Sequence, residues 1–134
     1  AMANPSLTPE VRLTELEAVS EAAKTAFPRV FIDSLVARGE TYLQIAFDDE
    51  ARRAAMIGRA RDLFEQAMAA SGASARTRAA AMTGLADCLF LGADPATDKE
   101  AIRRALELYL RVAVLHADQT QYAAKALFHA GRSF

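Results

Sequence analysis

Apolar residues recur along this chain at intervals of three and four, as in Leu127, Ala130 and Phe134, and short polar stretches separate the runs. That period belongs to amphipathic helices. Helix-boundary signals divide the chain further. "LTPEV" places Thr8 as N-cap, Pro9 at the first helical position and Glu10 in the first turn, predicting a helix to Phe27 that stops before Pro28. A second helix is expected from about Val30 to Phe47. Asp48, Asp49 and Glu50 then acidify the start of a third, which ends near Ser71 and Gly72. Ser74 opens a fourth through Leu91, with Gly92 as its stop. "TDKE", Thr97 to Glu100, reads as a capping box for a fifth. Asp118 or Thr120 caps a sixth that runs to Phe134. Asn-Gly and Asp-Gly hairpin turns are absent and β-branched residues never cluster in alternation, so the expected class is all-α.

The helix surfaces carry opposite charges four residues apart: Asp48–Arg52, Asp49–Arg53, Arg61–Glu65, Glu100–Arg104, Arg103–Glu107 and Glu107–Arg111. Each pair contributes about 0.2–0.5 kcal/mol, the signature of a solvated face.

The chain also repeats itself. "ARDLFEQAM" from Ala60 matches "ALELYLRVA" from Ala105, each with an aromatic four residues on (Phe64, Tyr109) and an apolar residue three later (Ala67, Val112), at an offset of 45. On the other helices a small residue precedes a larger apolar one by three: Gly39 and Tyr42, Ala86 and Leu89, Gly131 and Phe134. Leu35, Met82 and Leu127 stand four residues ahead of each small one. Phe64 to Ala86 and Tyr109 to Gly131 are both offsets of 22, a register that unrelated helices would seldom keep.

From residue 30 to 134 this pattern resembles the tetratricopeptide repeat (TPR), whose paired helices carry W-x2-L-G-x2-Y and then A-x3-F. The resemblance puts Leu35, Met82 and Leu127 at the Trp position and Gly39, Ala86 and Gly131 at the Gly position. Tyr42, Leu89 and Phe134 fall at the Tyr position, while Ala60 with Phe64 and Ala105 with Tyr109 supply the second helix. The period of 45 departs from the family's roughly 34, the extra residues lying between the two helices of each unit. HEAT-like repeats share the longer period, but the small residues where two backbones must approach favour TPR. "ALELYLRVAVLHADQTQYAAKALFHAGRSF" is also similar to bacterial envelope-assembly TPR lipoproteins.

The resemblance implies an α-solenoid of antiparallel helix pairs in a right-handed superhelix, with Gly39 against Ala60 and Ala86 against Ala105. It further implies that the first helix of each unit lines a concave groove. The positions carried over are Asp33, Val36, Glu40 and Leu43, then Thr83, Asp87 and Phe90, then Lys125, Phe128 and Arg132. Phe90 and Phe128 are the expected anchors, with Glu40, Asp87 and Arg132 setting polarity and register for a protein or peptide partner. Ala124 and Gly131 form a small-residue face on the last helix with no second helix after it, so a truncated repeat and self-association through that helix are expected. The opening "AMA" reads as a cloning scar over residues 1–3, leaving residues 4–134 as one helical-repeat domain cut from a longer protein.

Composition sharpens this only in places. With 134 residues the chain can bury one core, and its 52% apolar content is mostly Ala and Leu rather than aromatic, which suits closely packed helices. A formal charge of −1 provides no basic stripe for nucleic acid, and the apolar runs are too short for membrane insertion. His116 and His129 lie on different expected helices without ligand spacing; Cys88, as the single cysteine, excludes an internal disulfide, and its apolar neighbours point to a core position. No catalytic constellation, metal site or cofactor motif is expected; the sequence reads as a non-catalytic interaction scaffold. A structural spacer in a larger solenoid is the alternative.

Overall fold

A computed structural model describes residues 8–24, 27–94 and 96–118. Within them the chain forms five helices and no strand: α1 (Pro9–Ala23), α2 (Pro28–Asp48), α3 (Arg53–Ala69), α4 (Ala75–Gly92) and α5 (Lys99–Leu115), with a 3-10 turn at Glu50–Arg52 leading into α3. The expected sixth helix lies outside the described residues. Each helix packs on the one before it, and α2 also touches α4.

Local chemistry accounts for most boundaries. The Thr8 hydroxyl accepts from the Val11 N–H at 3.4 Å, and Ser74 Oγ accepts from the Thr77 N–H at 3.1 Å, each satisfying a first-turn donor. Three expectations are corrected. Pro28 does not close a helix; it opens α2 at the first position, where a missing N–H costs nothing. Asp48 ends α2, and Asp49 alone caps the next turn, its Oδ1 accepting from the N–H groups of Ala51 and Arg52. Thr97 and Glu100 form no capping box: Asp98 is the N-cap of α5, and its Oδ2 instead accepts from the Asp94 N–H at 2.9 Å.

The surface pairs change partners in the same region. Arg61–Glu65 and Arg103–Glu107 form as expected, at 3.1 and 3.7 Å. Asp49, however, pairs with Arg52 at 2.8 Å, and Arg52 reaches Glu10 of α1 at 3.1 Å. Arg53 turns away to donate to the Ala46 and Phe47 carbonyls at 2.9 and 3.4 Å, capping the end of α2.

The core divides in two. Leu35, Val36, Tyr42 and Ile45 of α2 meet Ala60, Leu63, Phe64 and Ala67 of α3 and Ala80, Ala81 and Cys88 of α4. Ala79, Met82 and Ala86 of α4 meet Ala105, Tyr109 and Val112 of α5. Six positions related by the offset of 45, Ala60 and Ala105, Phe64 and Tyr109, Ala67 and Val112, are each 0% exposed. α4 serves both clusters because Ala80, Ala81 and Cys88 face one way while Ala79, Met82 and Ala86 face the other.

The tightest contact surrounds Phe64. A Cβ placed on Gly39 would lie 2.7 Å from two of its ring atoms, and one placed on Gly84 would lie under 3.0 Å from three. The close partner of Gly39 is therefore the Phe64 ring, one turn beyond the expected Ala60. Gly84 is a second contact that the sequence reading did not single out. Neither glycine has a positive φ, so it is space and not backbone freedom that requires them.

Alanine substitutions at the helical glycines should therefore diverge in sign. Gly58 of α3 is exposed with nothing within 4 Å of an added Cβ, so Gly58→Ala should stabilise by about 0.5–1 kcal/mol through helix propensity. Gly39→Ala and Gly84→Ala gain the same propensity but press into a ring that is wholly buried. Overpacking of about 1–3 kcal/mol should win, giving net destabilisation. Urea unfolding of the three variants checks this; stabilisation by all three would show that the ring has room.

Candidate functional site

α2 and α4 lie side by side, and the face they share toward solvent is a shallow groove formed of two adjoining depressions. The first, about 220 Å³, is lined by Glu40, Leu43 and Gln44 of α2 and by Ala80, Thr83, Gly84 and Asp87 of α4. The second, about 330 Å³, is lined by Asp33, Val36, Ala37 and Glu40 of α2 and by Ser74, Arg76, Thr77 and Ala80 at the start of α4. Glu40 and Ala80 border both. On α2 the lining residues fall at 33, 36, 37, 40, 43 and 44, the three- and four-residue spacing of one helix face.

The structure thus gathers Asp33, Val36, Glu40, Leu43, Thr83 and Asp87, six of the sequence-derived positions, along one groove. They do not contribute equally. Thr83 is only 1% exposed and its hydroxyl donates to the Ala79 carbonyl of its own helix at 2.8 Å, so it forms floor and not rim. Val36 is likewise buried. Phe90 is 38% exposed, one turn beyond Asp87, and lines neither depression. Lys125, Phe128 and Arg132, with the small-residue face at Ala124 and Gly131, lie outside the described residues.

Sequence reasoning missed the polar contacts that fix the rim. The Thr77 hydroxyl donates to Asp33 Oδ1 at 2.6 Å and shares a hydrogen bond with Ser74 Oγ at 2.8 Å, joining the start of α4 to α2. At the other end the Tyr109 hydroxyl of α5, on a ring that is 0% exposed, donates to Asp87 Oδ1 at 2.5 Å. Spacing along one helix could not have revealed either bond, because each joins two helices. Arg76 and Ala80 were also unforeseen; the register that pairs Leu35 with Met82 and Gly39 with Ala86 also pairs Asp33 with Ala80, and is the signal that could have found the latter.

Burial raises the Tyr109 pKa, and the neighbouring Asp87 carboxylate adds to the shift. Burial likewise pushes the Cys88 thiol up to about 12, again with Asp87 adding to it. A thiol held neutral by burial is a poor nucleophile. A separate depression between α1, α2 and α3 is lined by Glu17, Glu21, Lys24 and Arg38, and the buried Arg38 Nε has no hydrogen-bond partner. Ser20 and Ser34 share a buried hydrogen bond beside it.

Among the described residues no group of three His, Cys, Asp or Glu side chains is gathered as a metal site, and no helix is long and apolar enough to cross a membrane. Comparisons with known proteins found no matching family model, no similar curated protein and no similar solved structure.

The raised pKa values of Tyr109 and Cys88 fix the sign of alkaline behaviour. A group whose pKa is higher in the fold than in the unfolded chain stabilises fully below its unfolded value and loses that contribution above it. Stability should therefore fall from about pH 9, the ordinary value for the thiol, toward pH 12. Cys88→Ala and Tyr109→Phe should each flatten that slope in pH-dependent urea unfolding; unchanged slopes would show that neither group is protonated preferentially in the fold.

Proposed function

We propose that this chain is a non-catalytic, TPR-like solenoid segment whose α2/α4 groove receives a peptide or protein partner. The observation that carries this reading is the groove itself, in which residues of two non-consecutive helices converge on one continuous face. The equal burial of Ala60, Phe64 and Ala67 with Ala105, Tyr109 and Val112 supports a repeated unit. Contact of α2 with α4, in addition to contacts between consecutive helices, supports stacking of first helices as in a solenoid. An apolar floor with polar rims suits an extended or helical segment held by a few side chains.

A second reading has its own observation. Leu110, Val114 and Leu115 are exposed together at the end of α5, beside Glu107 and Arg111. Exposed apolar clusters of this kind mark contact surfaces, and here they favour a spacer that packs against a neighbouring unit or another copy.

Photo-crosslinking separates the two. A crosslinker at Gln44, on the groove, should give discrete adducts in a lysate that are lost on Leu43→Ser with the helical content unchanged. The same group at Asp62, exposed on α3, should give none of them. Equal adducts from both positions would dismiss the groove, and concentration-dependent dimers abolished by Val114→Ser would favour the spacer.

A further inference from the structure

Arg38 is out of keeping with its neighbours on α2. Phe31, Leu35 and Arg38 fall at four- and three-residue spacing, so an arginine continues the apolar stripe that borders the depression between α1, α2 and α3. Its Nε is buried and the N–H has no acceptor. A charged donor withdrawn from water without an acceptor destabilises a fold, and native chains seldom keep one. Acceptors on the same depression leave it unrelieved. Glu17 and Glu21 belong to the lining, yet among the described residues neither forms an ion pair with Arg38. The Ser20 hydroxyl bonds Ser34 instead, whose own proton goes to the Phe31 carbonyl at 2.6 Å. The depression measures about 440 Å³, a size typical of small-ligand sites, and shares no lining residue with the α2/α4 groove.

We propose that this depression is a second binding site, for a small monocarboxylate with an apolar body, whose carboxylate supplies the acceptor that Arg38 lacks. Arg38 as a whole is only partly buried, so a rotation of its guanidinium turns the Nε–Nη edge toward a ligand in the depression. That planar edge matches the two oxygens of a carboxylate. Lys24 adds a second cation to the same lining, and Phe31, Leu35 and Leu63 supply an apolar wall for the body of the ligand. Glu17 and Glu21 repel a dianion such as phosphate more strongly than a monoanion, which favours the carboxylate.

Isothermal titration calorimetry of the whole chain with phenylacetate, and with phenylacetamide as its neutral isostere, tests this. Phenylacetate should bind saturably and raise the Tm, and phenylacetamide should bind about tenfold more weakly for want of the charge-assisted bonds. Arg38→Met keeps an apolar stem on the stripe and removes the unsatisfied donor. It should weaken phenylacetate about tenfold while the free chain keeps or gains stability in urea. Arg76→Gln, on the α2/α4 groove, should leave phenylacetate binding unchanged. Acid and amide binding alike, or acid binding that survives Arg38→Met, would overturn the carboxylate site. Inorganic phosphate binding as tightly as phenylacetate would overturn it too, as would no saturable binding of phenylacetate at millimolar concentration. If Arg38→Met does not fold, the comparison of acid, amide and phosphate on the native chain still decides.

Discussion

Much of the packing turns on one aromatic ring held between two glycines. Phe64 of α3 lies against Gly39 of α2 and Gly84 of α4, so close that neither position admits a Cβ without displacement. Three helices are thereby fixed on one side chain. The ring removes a large apolar area from water, and the two absent side chains let the backbones of α2 and α4 close on it. Gly84 belongs to the seat of the ring and to the lining of the groove alike. The separation of α2 and α4, and with it the width of the groove, follows from how deeply Phe64 is seated.

Tyr109 occupies the corresponding place on α5, equally buried among Met82, Ala86 and Val112. Its hydroxyl makes it more than a second Phe64. Burial of a phenol requires an acceptor, and the acceptor is Asp87, a residue of the groove lining. The packing of α5 on α4 therefore also orients a carboxylate of the groove lining. This is the route by which a core contact sets the charge pattern of a surface.

Helix number, order and the N-caps of α1 and α4 within the described residues were legible in the sequence because they depend on short-range chemistry: Thr8 before Pro9, Ser74 before Thr77, apolar residues at three and four. The capping box at Thr97 and Glu100 failed for the same reason in reverse, since Asp98 had a nearer use in bonding the Asp94 N–H. Most of the groove residues on α2, but only Thr83 and Asp87 on α4, were legible through the repeat register, which groups residues by helix face. Exposure was not. Register placed Thr83 and Phe90 together, but Thr83 is sealed at the floor and Phe90 projects beyond the end of the lining. Gly84 escaped notice because an isolated glycine inside a helix has no local signature; only the ring arriving from α3 gives it meaning.

A double-mutant cycle between Gly84→Ala and Phe64→Leu tests the wedge most directly. The ring atoms that an added Cβ on Gly84 would strike are ε and ζ carbons, which leucine lacks. In the native background Gly84→Ala should destabilise by about 1–3 kcal/mol. In the Phe64→Leu background that cost should vanish or reverse, leaving the helix-propensity gain of about 1 kcal/mol and a coupling energy well above the few tenths expected of independent sites. Additive effects, with Gly84→Ala equally costly in both backgrounds, would show that the ring is not what the glycine accommodates.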